Sequence, residues 1–223
     1  MLLSRLQNLI GGIYDVSVAH DVYDFLVTDR RQLPQGARGG VAEEELLVAQ
    51  AADGAGELGV SLYLDPGLLE RLARHDPLEC LHGGNLADCW TALEGVSHFL
   101  YLAWNAGHDK PVSLLELEMQ AEVDKYVVSY WLMRRQFPGR FPAELHRALF
   151  ERPRLDPRLS ATHAALYRAA SRYAARFCGA LQQRLARSRA AAGEGHEPEV
   201  LAELRRFYRL TSPRKLAHIE RGG

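Results

Sequence analysis

Apolar residues recur at Leu2, Leu3, Leu6, Leu9, Ile10 and Ile13, spacings of three and four that place them on one helical face. The Gly11-Gly12 pair, or the residues just after it, is expected to end this helix by about residue 15. The period then shortens. DVYDFLVTD at 21 to 29 is rich in β-branched and aromatic residues and predicts a strand. ELLVAQAADGAGELGVSLYLD at 45 to 65 reads as two more strands around Asp53-Gly54, a hairpin turn pair. Pro34 to Gly40 is a loop.

After Asp65-Pro66 the period lengthens again, with Leu68, Leu69 and Leu72 opening a run of helices. The pattern predicts them at 66 to 75, 86 to 105, 113 to 136, 142 to 150, 158 to 190 and 198 to 210. The expected fold class is therefore α+β, a small N-terminal antiparallel sheet of about three strands packed on a larger helical bundle. Residues 1 to 76 form the α/β part with its hairpin. Residues 77 to 223 form the helical part, and the two are expected to make one compact unit.

The helix at 86 to 105 carries one stripe of Leu86, Trp90, Leu93, Leu100 and Trp104 and a neighbouring one of Ala92, Val96, Phe99 and Ala103. From Val96 onward nearly every position is apolar except Ser97 and His98, and a helix that is apolar all round is buried all round. Glu94 and His98, four residues apart, share a face that is expected to meet protein. The next helix opens on Ser113-Leu114-Leu115-Glu116, a capping-box pattern that assigns Glu116 to structure. Glu118, Glu122, Lys125 and Ser129 follow along one face.

The connection AGHDKPV is short, which favours antiparallel neighbours. With both helices rising ~1.5 Å per residue, residues at one height then have numbers adding to about 217. His98 falls between Glu118 and Glu122, and Glu94 falls near Glu122 and Lys125. Carboxylate oxygens with an imidazole nitrogen are the ligand set of iron, manganese or zinc, so Glu94, His98, Glu118 and Glu122 are candidate ligands for a divalent transition metal. A shifted acid/base pair is a second chemistry for the same residues. Against both stands a satisfied buried network in which Glu94 accepts from His98 or Lys125. The spacing Glu-x-x-x-His also departs from the Glu-x-x-His of dimetal helical bundles, to which the chain is not assigned.

The remaining histidines form no HExxH pattern. His163 falls on the stripe Leu159, Leu166, Ala170, Tyr173, Phe177 and Leu181 and is expected to be a hydrogen-bonded core residue. GxxxxGK[ST], GxSxG and acidic calcium-loop patterns are missing, which argues against the common phosphate-loop and serine-hydrolase classes.

Composition changes this picture little: 223 residues, 47% hydrophobic and 25% charged, suffice for a full core. No run of about 18 apolar residues occurs, and the N-terminus lacks an uninterrupted apolar stretch with a cleavage site. The expectation is a cytoplasmic protein without membrane contact. Cys80, Cys89 and Cys178 have no CxxC pairing and are expected to be buried thiols.

Charge changes the picture more. The net of -1 conceals 12 Lys and Arg against 22 Asp and Glu in residues 1 to 151, and 15 against 6 in residues 152 to 223. Arg168, Arg172 and Arg176 form one row opposite the apolar stripe of the long helix, and Arg205, Arg206 and Arg209 follow in the next. Such a surface suits a protein partner, self-association or nucleic-acid phosphates, or it packs back on the acidic first part of the chain. The reading favoured is a non-catalytic protein acting by protein or ligand binding through this basic surface. A metal-dependent enzyme using Glu94, His98, Glu118 and Glu122, with a bound water as the reactive group, is the alternative. Nucleic-acid binding ranks third, because no helix-turn-helix or zinc-finger pattern supports it.

Overall fold

The computed structural model describes residues 1–35, 42–50, 58–151, 160–190 and 197–222. The predicted Asp53-Gly54 turn, together with Pro153, Pro157, Leu159, Gly193, Gly195 and His196, lies outside them.

α1 spans Leu2–Tyr14 and buries the predicted face, with Leu3, Leu6 and Ile10 fully covered. It runs through the Gly11-Gly12 pair and ends at Asp15, whose left-handed φ of 55° turns its N–H back to the Gly11 carbonyl. Gly11 has a packing reason: a Cβ there would stand 2.8 Å from the Val16 carbonyl oxygen.

The segment 21 to 29 is not a continuous strand. Asp21 accepts from the Tyr23 amide and Asp24 reaches back to the Asp21 amide, a reciprocal cap that winds Val22–Phe25 into a 3-10 turn. Only Leu26–Val27 remains extended, as β1. β2 is Glu44–Gln50 and β3 is Leu58–Leu64. β2 and β3 pair antiparallel from Glu44↔Leu64 to Gln50↔Leu58, as a hairpin requires. β1 pairs parallel to β3 at Leu26↔Leu62, so the three-stranded sheet, in the order β1-β3-β2, is mixed instead of antiparallel.

Asp65 caps α2, Pro66–Arg74, through the Gly67 and Leu68 amides, with Pro66 where its missing N–H costs nothing. α3, Leu86–Ala106, and α4, Leu114–Gln136, are the central pair. Their cross-contacts join Trp90 to Ser129, Glu94 to Lys125, Ser97 to Asp124 and Tyr101 to Glu116. Numbers rise on one helix as they fall on the other, so the two are antiparallel with the expected register.

α5, Leu145–Phe150, and the long α6, Ala161–Ala190, pack on α4, while α1 and the sheet cover α3. α7, Glu197–Arg209, packs on α1 and α6, and α8, Ser212–Glu220, returns to α6. The sequence pattern did not predict α8, although Thr211 before Pro213 in the first turn is a helix-start signal. One hydrophobic core runs through α1, the sheet and α2 to α8, consistent with the α+β class.

Candidate metal centre

Antiparallel pairing of α3 and α4 places a polar cluster inside this core. The donor atoms of Glu94, His98 and Glu118 lie within 4.8 Å of one another. His98 is 4% exposed and Glu118 5%. Donors ~2.1 Å from a tetrahedral ion stand ~3.4 Å apart, so the three side chains would have to draw closer together to close on a first-row metal.

The imidazole lies between two carboxylates. Its Nδ1 is 3.4 Å from Glu44 Oε1, at the long end of hydrogen bonding. Its Nε2 is 3.6 Å from Glu118 Oε2, an ion-pair distance that leaves this buried nitrogen without a hydrogen bond. Glu44 comes from β2 and is brought against α3 by Gly95. A Cβ at position 95 would stand 2.8 Å from Leu62 Cδ1 and 3.1 Å from Glu44 Cγ, so only glycine lets the sheet approach this closely.

Lys125 closes the other side, its Nζ donating to Glu94 Oε2 at 2.6 Å and to Glu122 Oε1 at 2.8 Å. Glu122 is therefore held by the ammonium, and the structure brings Glu94, His98 and Glu118 together without it. Half-buried Tyr167 of α6 also faces the cluster: burial, then the charges of Glu118, Glu94 and Glu44, keep its phenol protonated well above the usual range.

Electrostatics follow from four neighbouring carboxylates, of which Glu44 and Glu118 are the more deeply covered and Glu94 and Glu122 are partly exposed. Burial would discharge His98, but Glu118 and Glu44 outweigh it and hold the imidazole well above its ordinary range. Burial lifts Glu44, opposed by His98 and assisted by Glu94 and Glu118. Burial would lift Glu94 too, yet Lys125 and His98 more than reverse it and keep it below its usual value. The cluster thus needs positive charge, supplied by Lys125 and by a protonated His98.

Glu116 departs from the expected capping box. Ser113 accepts from the Glu116 amide, but the Glu116 carboxylate accepts from Tyr101 at 2.6 Å and is itself buried. It joins a second buried network that the sequence reading missed. Asp124 accepts from Tyr14, Ser97 and Gln120, and Gln120 accepts from Lys215 Nζ at 2.6 Å. Lys215, 0% exposed, lies over the Tyr101 and Phe207 rings at 4.4 and 4.9 Å. Glu116 Oε2 is left without a hydrogen bond, the other groups are partnered inside the core, and none belongs to the metal-ligand set.

Other expected residues are placed differently. His163 is exposed and hydrogen-bonds Ser160 at the start of α6, so it is not a core residue. Cys80 is exposed, whereas Cys89 and Cys178 are buried as expected. Arg168, Arg172 and Arg176 are exposed in one row and have no ion-pair partner among the described residues. Arg205 and Arg209 of α7 donate to the Ile13 and Asp15 carbonyls at the end of α1, Arg209 from an exposed position. Arg206 is exposed. A surface cleft of about 330 Å³ beside Gln7, Gly11, Gly12 and Asp15 is lined by none of the cluster's residues.

Among the described residues no helix is long and apolar enough to cross a membrane. No protein-family model, curated protein or solved structure matches the chain.

Proposed function

We propose that this protein binds a divalent transition-metal ion through Glu94, His98 and Glu118. The supporting observation is His98 Nε2, a buried nitrogen without a hydrogen bond, directed at carboxylate oxygens. An unpaired buried nitrogen is costly in a core where polar groups are ordinarily paired, and an ion bound there would satisfy it. Glu44 on Nδ1 would fix the tautomer that frees Nε2, as carboxylates do behind metal-bound histidines. Before an ion binds, protonated His98 supplies the positive charge the carboxylates require. The ion then takes its place.

The reading is one of binding before catalysis. His98 and Glu118 are almost fully covered, so a substrate much larger than water has no direct approach to them. In the catalytic version, an ion-bound water would be the reactive group. Elemental analysis of protein purified without chelator tests the proposal. About one ion per chain is expected, with a lower melting temperature after chelation, and both effects lost in His98→Ala. Metal-free protein whose melting is indifferent to chelator and to added Mn²⁺, Fe²⁺ and Zn²⁺ would falsify it.

A second reading rests on a separate observation, the exposed row of Arg168, Arg172 and Arg176, which has no ion-pair partner among the described residues. This row, with Arg206 beyond it, suits an acidic protein surface or a nucleic-acid backbone.

A further inference from the structure

Lys125 is 7% exposed, a level at which an ammonium needs close compensation. Its compensation comes from two carboxylates on different helices, Glu94 of α3 at 2.6 Å and Glu122 of α4 at 2.8 Å. Glu94 is at the same time one of the three residues whose donor atoms converge with His98 and Glu118. Its carboxylate therefore lies between two positions for positive charge, one beside His98 Nε2 and one filled by Lys125 Nζ. A carboxylate shared in this way is the bridging element of two-ion sites, whose ions stand ~3.5 to 4 Å apart.

We propose that a second cation position is built into this cluster between Glu94 and Glu122, and that the Lys125 ammonium occupies it and limits the site to one metal ion. The proposal rests on the metal reading of Glu94, His98 and Glu118. Lysine suits the role because its ammonium is a compact point charge on a flexible stem. The counter-charge is then part of the chain. Two carboxylates completed by water suffice for a hard divalent ion once the ammonium is gone.

Chelator-stripped protein titrated with Mn²⁺ and followed by calorimetry and electron paramagnetic resonance reads the stoichiometry. Wild type is expected to bind one Mn²⁺ with an isolated-ion spectrum. Lys125→Ser is expected to bind two, with the spin coupling of neighbouring ions, and Lys125→Arg to remain at one. Adding Glu122→Gln to Lys125→Ser should return the count to one.

If Lys125→Ser is unfolded after stripping, refolding in excess Mn²⁺ with two ions per chain supports the proposal. Refolding with one ion, or none at all, overturns it. One ion in both wild type and Lys125→Ser overturns the second position and leaves the first intact. Two ions in wild type overturns the role given to Lys125. No Mn²⁺, Fe²⁺ or Zn²⁺ bound by wild type removes the metal reading itself, and this proposal with it.

Discussion

At the scale of single residues the cluster depends on contacts that no helical period reveals. Glu44 reaches His98 from a strand, and only Gly95 allows that strand close enough. Glu44→Gln should weaken metal affinity by ~10 to 100-fold while leaving the ion count unchanged, the usual consequence of losing a ligand's outer partner. Competition against a chelating indicator measures it, and unchanged affinity would deny Glu44 this role. Gly95→Ala should cost ~1 to 3 kcal/mol, since its Cβ would overlap Leu62 Cδ1 and press on Glu44 Cγ. Denaturant unfolding with metal removed reads that cost separately from any loss of binding. Glu94, His98, Glu118 and Lys125 were legible because antiparallel helices convert residue number into height. Glu44 and Tyr167 were not, because their approach depends on how a strand and a distant helix pack on α3 and α4.

At the scale of elements, segments with a clear apolar period were legible and those without one were not. The 3.6-residue period sufficed for α1 to α7, whose apolar faces bury much of the core. Residues 21 to 29 have strand composition, yet Asp21 and Asp24 satisfy local amides and wind a 3-10 turn first. In α8 the most buried side chain is Lys215, the reverse of the residue type a core position announces. Burial pushes that lysine down to about 7, with Glu116 and Asp124 opposing, and burial pushes Asp124 up to about 6 against Ser97, Tyr14 and Gln120. Between pH 7 and about 10.5 the unfolded chain holds a proton that folded Lys215 has released, so stability should rise with pH across that window. Between about 3.8 and 6 folded Asp124 holds the extra proton, so stability should fall as pH rises there. Lys215→Met should abolish the upper rise, at most about 5 kcal/mol by linkage, and leave the lower fall in place. Urea unfolding at pH 6.5 and 9.5 decides it, and an unchanged slope in the variant would assign the rise to another group.

At the scale of the whole molecule the division of charge has two structural outcomes. Part of the basic C-terminal region is used internally, since Arg205 and Arg209 bind carbonyls at the C-terminal end of α1, where cations complement the helix dipole. Arg168, Arg172 and Arg176 have no such use among the described residues: they stand exposed in a row on α6, opposite residues such as Ala170, Ala174 and Phe177 that face the core. Reversing all three to glutamate should therefore change unfolding free energy by no more than ~1.5 kcal/mol, the scale of three surface substitutions. Arg209→Glu alone should cost about as much, because it sets a carboxylate against the Asp15 carbonyl and side chain. If the row contacts phosphates, wild type should bind single- or double-stranded nucleic acid at low salt, with affinity falling as salt rises, and the triple variant should lose most of that binding. An acidic protein surface would instead be lost from co-purification in the triple variant while nucleic acid remained unbound by wild type. A triple variant that unfolds shows that the row belongs to the fold. One that keeps both its stability and its full set of contacts shows that the charge serves neither.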